Sequence, residues 1–82
     1  MKVIVRKINY KRGLVVFEEE NGDCGYFEIL DSVDLEEDDV LRGDFESLGS
    51  LKIIKVNTGE EINIFVEDYG MSYKNAVARV FR

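Results

Sequence analysis

The sequence predicts a mainly β fold: a small five- or six-stranded antiparallel barrel with a short C-terminal helix, in one domain over residues 1–82. Three observations predict it. Short runs rich in β-branched and aromatic residues recur along the chain, bounded by glycine, asparagine and aspartate. The first three runs are joined by connections short enough to make them a meander. After Gly70 the apolar spacing changes from that of strands to that of a helix.

Lys2–Asn9 is the first strand, with Val3 and Val5 on one parity and Ile4 and Ile8 on the other, so both faces are at least partly covered. Tyr10–Gly13 turns the chain, with Gly13 available for positive φ. Leu14–Glu19 is the second strand. Asn21-Gly22 marks a turn of the primed kind that matches strand twist, and Cys24–Leu30 follows as the third strand. Asp31–Asp39 is an acidic loop with at most one helical turn, anchored into the barrel by Leu35. Val40–Leu48 reads as a fourth strand, bent or bulged near Gly43 and broken by Gly49-Ser50. Leu51–Val56 and Glu61–Glu67 flank Asn57–Glu60 and make a hairpin. Tyr73, Ala76, Val77, Val80 and Phe81 share one helical face, and Ser72 is the expected N-cap of a helix over about 72–81. So short a helix is marginal alone, so it must dock on the barrel, where it can close one end.

The totals narrow the function. A domain of 82 residues supports one modest core. The chain has no proline, no histidine and one cysteine, Cys24. It has no apolar run long enough to span a membrane, and Met1–Arg6 becomes charged too soon for a secretory leader. With no internal disulfide possible, a reducing, cytoplasmic address is expected. The net charge of −6 is unevenly spread. Residues 1–17 carry five bases and no acid, whereas residues 18–48 carry 13 acids against Arg42 alone. An acidic total argues against tight, non-specific nucleic-acid binding and leaves room for a local basic face.

Val5-Arg6-Lys7-Ile8-Asn9-Tyr10-Lys11-Arg12-Gly13-Leu14-Val15-Val16-Phe17 runs without a gap beside V-K-W-F-N-x-x-K-G-F-G-F-I, the opening of the cold-shock domains. Gly25-Tyr26-Phe27-Glu28-Ile29 resembles that family's V-F-V-H-F, and Leu35-Glu36-Glu37-Asp38-Asp39-Val40-Leu41 is similar to its L-x-E-G-Q-x-V. The resemblance covers about residues 5–45 and implies an oligonucleotide-binding (OB) barrel that binds single-stranded nucleic acid, RNA in particular, across strands 1–3. On that likeness Arg6, Lys7 and Arg12 would hold phosphates and Tyr26 would stack a base. The family's other stacking positions fall on Lys7, Leu14, Val16, Glu28 and Ile29, so one π-face survives.

Parity offers a second view of the same face. If Val15 and Phe17 point inward, Leu14 and Val16 point out, among Lys7, Tyr26 and Glu28. Such a patch suits cover by Leu51–Val56 or by the helix, a reduced stacking platform, or a partner protein. The alternative function is therefore a non-enzymatic protein-interaction module with no nucleic-acid binding. Catalysis finds no support: the usual neutral-pH base is absent, and Cys24 sits between Asp23 and Gly25 with nothing to activate it. No cofactor motif is present, and Asp31–Asp39 lacks the ligand order of a calcium loop, so no metal is expected and its acids read as solvated. Glu18-Glu19-Glu20 reads as solubilising charge at a strand end, and Tyr69, Tyr73 and Phe81 as anchors of the tail.

Overall fold

The computed structural model describes residues 1–82 and contains β1 (Lys2–Asn9), β2 (Leu14–Glu19), β3 (Cys24–Ile29), β4 (Val40–Arg42), β5 (Gly49–Lys55), β6 (Glu60–Met71) and α1 (Tyr73–Phe81). The strands close into one barrel in the ring order β1-β2-β3-β6-β5-β4, and each neighbouring pair is antiparallel. Strand directions must alternate around such a ring, so it closes only with an even number. Of the two counts the sequence allows, six is the one that can be antiparallel throughout. Closure gives every strand a partner on both sides, though the three-residue β4 leaves residues 6–9 of β1 and 49–53 of β5 without a ladder partner on that side.

Inward-facing side chains of all six strands fill the barrel, among them Val15 and Phe17 of β2 and Ile62, Ile64 and Val66 of β6. A register shift between Val5 and Lys7 lets Val5 and Ile8 both face inward although their parities differ. Leu35 plugs one end from the acidic loop and is 2% exposed, as its place in the sequence suggests. Phe45 fills the other end, its ring centroid 4.9 Å from that of Phe17, and both rings lie 6.1 Å from Phe27.

The fourth strand is shorter than expected. It ends at Arg42, and the chain leaves the sheet over residues 43–48. Two contacts explain this. A Cβ at Gly43 would lie 2.6 Å from Ile53 Cγ2, so the backbone presses directly on the barrel wall. Phe45 then turns into the core instead of continuing the ladder. The Asn21-Gly22 turn is not of the primed kind either: Gly22 alone takes positive φ (92°), and its N–H donates to the Glu19 carbonyl at 2.9 Å.

α1 begins where the sequence places it, with the Ser72 hydroxyl accepting from the Asn75 N–H at 3.1 Å. It does not close a barrel end. It lies across the outer face of β1–β3, where Ala76 and Val80 pack on Leu14, Val16 and Cys24. That strip is one helical stripe wide, so Tyr73 and Phe81 stay outside it, 39% and 49% exposed. Tyr69, at 37%, is also outside, and none of the three aromatics is a buried anchor. No helix is long and apolar enough to cross a membrane.

Candidate functional site

Of the four residues expected to bind nucleic acid, Arg6 and Lys7 fall on β1, Tyr26 on β3 and Arg12 in the β1–β2 turn, and α1 occupies the middle of the face they surround. Arg6 projects from the outer side of β1. Its Nη1 is hydrogen-bonded to Glu18 Oε1 on β2, and its guanidinium carbon lies 5.5 Å from the centroid of the Tyr73 ring. Both partners belong to the chain itself. Lys7 sits at the register shift of β1, exposed and outside the chain's ion pairs.

Arg12 has become a helix cap. Its Nη1 donates to the main-chain oxygens of Arg79, Val80 and Arg82 at 3.4, 3.3 and 3.2 Å, and Asn9 Nδ2 donates to the Val80 oxygen at 2.8 Å. These carbonyls have no intrahelical donor, and a cation suits the negative end of the helix dipole. Tyr26, opposite Val16 in the β2–β3 ladder, is half-buried against the Leu14–Val80 cluster. Arg12 and Tyr26 nevertheless meet at one cleft of about 260 Å³, where Arg79 and Arg82 of the tail join them beside Glu28 and Glu67. Arg6 and Lys7 are not part of it.

The opposite end of the barrel holds a group that the sequence reading missed. Glu19 continues the inward parity of Val15 and Phe17, which carries its side chain under the chain leaving β4. It is 7% exposed, and its Oε2 has no hydrogen-bond partner. Burial, then Glu46 alongside it, then the charge of Asp23 push its pKa up. None of the chain's ion pairs includes Glu19 or Glu46. The signal was present in the sequence, in the two-residue spacing from Phe17 to Glu19.

Glu19, Glu20 and Lys2 line two adjoining cavities. One, of about 410 Å³, adds Ile4, Arg6, Glu18 and Val40. The other, of about 390 Å³, adds Asn21 and Glu46. Ile4 pairs with Val40 across the β1–β4 ladder, Arg42 pairs with Ile54 across β4–β5, and these apolar side chains are 43%, 36% and 37% exposed. The outer wall formed by β1, β4 and β5 therefore carries an uncovered apolar strip between charged residues.

Elsewhere the chemistry is structural. Asp31 accepts from the Asn63 N–H at 2.7 Å, Asp39 accepts from the Glu36 N–H at 2.9 Å, and Lys55 Nζ lies 3.6 Å from Asp39. Part of the acidic loop is thus tied to the barrel rather than freely solvated. No group of three or more Asp, Glu, Cys or His side chains converges as a metal site. Cys24 is fully buried beneath α1, and burial first, then the Glu18 charge, push its thiol pKa up.

These features define a closed six-stranded antiparallel barrel whose β1–β3 face is covered by its own C-terminal helix. Compared with known proteins, the chain matches no family model, no curated protein and no solved structure.

Proposed function

We propose that the domain is a non-enzymatic protein-interaction module that docks through the outer wall of β1, β4 and β5. The observation that carries this reading is the exposed apolar strip of Ile4, Val40 and Ile54 on adjoining strands of the barrel. Side chains carry that contact, because where β4 pairs with β1 and β5 the backbone hydrogen bonds of the wall are already used. The β1–β3 face supports the same reading by default, because α1 covers its apolar centre and engages Arg6 and Arg12. The test is retention on the immobilised domain after nuclease treatment, compared with Ile4→Glu. A polypeptide held by the natural sequence and lost with the variant is expected. Equal retention by both, or a lone monomer in ultracentrifugation with nothing retained, would sink the proposal.

One observation favours a second reading, weak binding of single-stranded nucleic acid, RNA in particular. Tyr26, Arg12, Arg79 and Arg82 converge on one cleft, which could stack a base and hold its phosphate, and the cold-shock resemblance of Val5–Phe17 supports it. A stacked base contributes about 1–3 kcal/mol. Titration of a labelled oligonucleotide at low salt, with Tyr26→Ala and Lys7→Glu as controls, tests it. No signal by about 100 μM would rule it out, since non-specific affinities reach that range.

A further inference from the structure

The end of the barrel at Glu19 and Glu46 pairs an exposed carboxyl group with one that is nine-tenths buried, and neither has a cation partner. A buried carboxyl oxygen with no protein hydrogen bond is costly, and a donor brought by a bound group would relieve that cost. We propose that this end of the barrel is the seat for a basic side chain, arginine or lysine, of the partner protein, beside the apolar contact made by Ile4 and Val40. The inference rests on the protein-interaction reading and names the chemistry of the partner.

Four features of the site select that occupant. Glu19 and Glu46 line one cavity, two neighbouring carboxyl groups match the parallel donors of a guanidinium, and Glu19 Oε2, closed to solvent in this structure, has no hydrogen bond to give up when a donor parts them. The two cavities share Lys2, Glu19 and Glu20, so a segment lying over Ile4 and Val40 would deliver its next side chain to Glu46 without leaving the surface. The acids around the seat outnumber the bases: Glu18, Glu19, Glu20 and Glu46 line the two cavities and Asp23 acts on Glu19, against Lys2, Arg6 and the Met1 ammonium. The chain's own bases do not fill the seat. Arg6 is taken by Glu18, and Lys2 lines both cavities without forming an ion pair. A divalent metal fits less well, because it needs several ligating oxygens and no three acidic groups converge here.

The experiment follows the side-chain carboxyl 13C resonances of Glu19 and Glu46 in the intact domain. The probes are N-acetyl-arginine amide, N-acetyl-lysine amide, N-acetyl-citrulline amide and magnesium chloride. Arginine and lysine amides should shift both resonances saturably, with half-saturation on the order of 1–10 mM, ordinary for fragments of this size. Citrulline has nearly the same shape without the charge and should leave them in place. Glu19→Gln should abolish the effect. Glu46→Gln alters an exposed residue that should not threaten folding, and should weaken binding about tenfold. Resonances unmoved by arginine, equal shifts with citrulline, or shifts with magnesium alone would overturn the inference. Its failure is separable from that of the docking proposal: polypeptide capture lost in Ile4→Glu but unchanged in Glu46→Gln would reject the basic-side-chain seat and keep the apolar docking surface.

Discussion

Replacing Glu19 with glutamine should stabilise the domain at neutral and alkaline pH and leave it unchanged in acid. Folded Glu19 has its pKa raised, by burial first and by Glu46 second, so it keeps its proton to higher pH than the unfolded chain does. The unfolded value is about 4.3. Between that value and the raised folded one, the native state binds more protons, so stability falls as pH rises. It is fully present below the unfolded value and lost as pH passes the folded one. Glutamine carries no charge to desolvate. Leaving a buried polar group unsatisfied costs about 1–3 kcal/mol, which sets the expected gain at pH 8. For a domain of this size that corresponds to a rise in Tm of roughly 4–8 °C per kcal/mol. Urea denaturation of both proteins from pH 4 to pH 8, followed by circular dichroism, gives the two stability curves. They should meet in acid and separate with rising pH. Parallel curves, or a less stable variant at pH 8, would refute the account of Glu19 as a buried acid whose burial opposes its ionisation.

Three further perturbations probe the helix and the barrel wall. Val80→Ala removes buried methyl groups between α1 and Val16, so it should cost about 2 kcal/mol and make Cys24 markedly faster to react with a thiol reagent; an unchanged labelling rate would mean that α1 is not what shields the thiol. Arg12→Ala should speed amide exchange in the last turn of α1 while lowering global stability by no more than about 1 kcal/mol, since it removes a cap rather than core. Gly25→Ala should cost at least about 3 kcal/mol, because the added Cβ would lie 2.3 Å from the Asp68 oxygen and 2.5 Å from Phe17 Cζ; a natural melting curve for it would contradict the close packing of β2, β3 and β6.

The first three strands and the helix were legible because each rests on local signals. Strand parity, a glycine turn and an N-cap act within a few residues, and the observed bounds of β1, β2 and α1 follow them closely. The fourth strand was misread for a reason that local pattern cannot repair. Leu41, Gly43 and Phe45 alternate as a strand would, yet Phe45 is a plug held by Phe17 and Phe27 from distant parts of the chain. The helix face was misjudged in a similar way. Five positions share a stripe in the sequence, but how many of them are buried depends on the width of the apolar strip offered by β1–β3, and that strip takes only Ala76 and Val80 completely.

Glu19 is different, because its burial follows from a rule the sequence already satisfies. Three successive glutamates look like one solvated block only if they are read by composition. Read by parity, the middle one points with Val15 and Phe17 into the barrel, while Glu18 points out to Arg6. The same rule separates the fates of the other charged residues on this wall. Arg6 faces outward and finds Glu18 and Tyr73, whereas Glu19 faces inward and meets another carboxyl group. Glutamine at position 19 would preserve the shape and relieve the charge, so the glutamate is not explained by packing. A stability cost that a one-atom-type change would remove is the kind natural proteins keep when the charged group has something to bind. The inward carboxylate therefore points to the barrel end as the place to look for a partner, more directly than the aromatic and basic residues of the β1–β3 face, which the domain spends largely on holding its own helix.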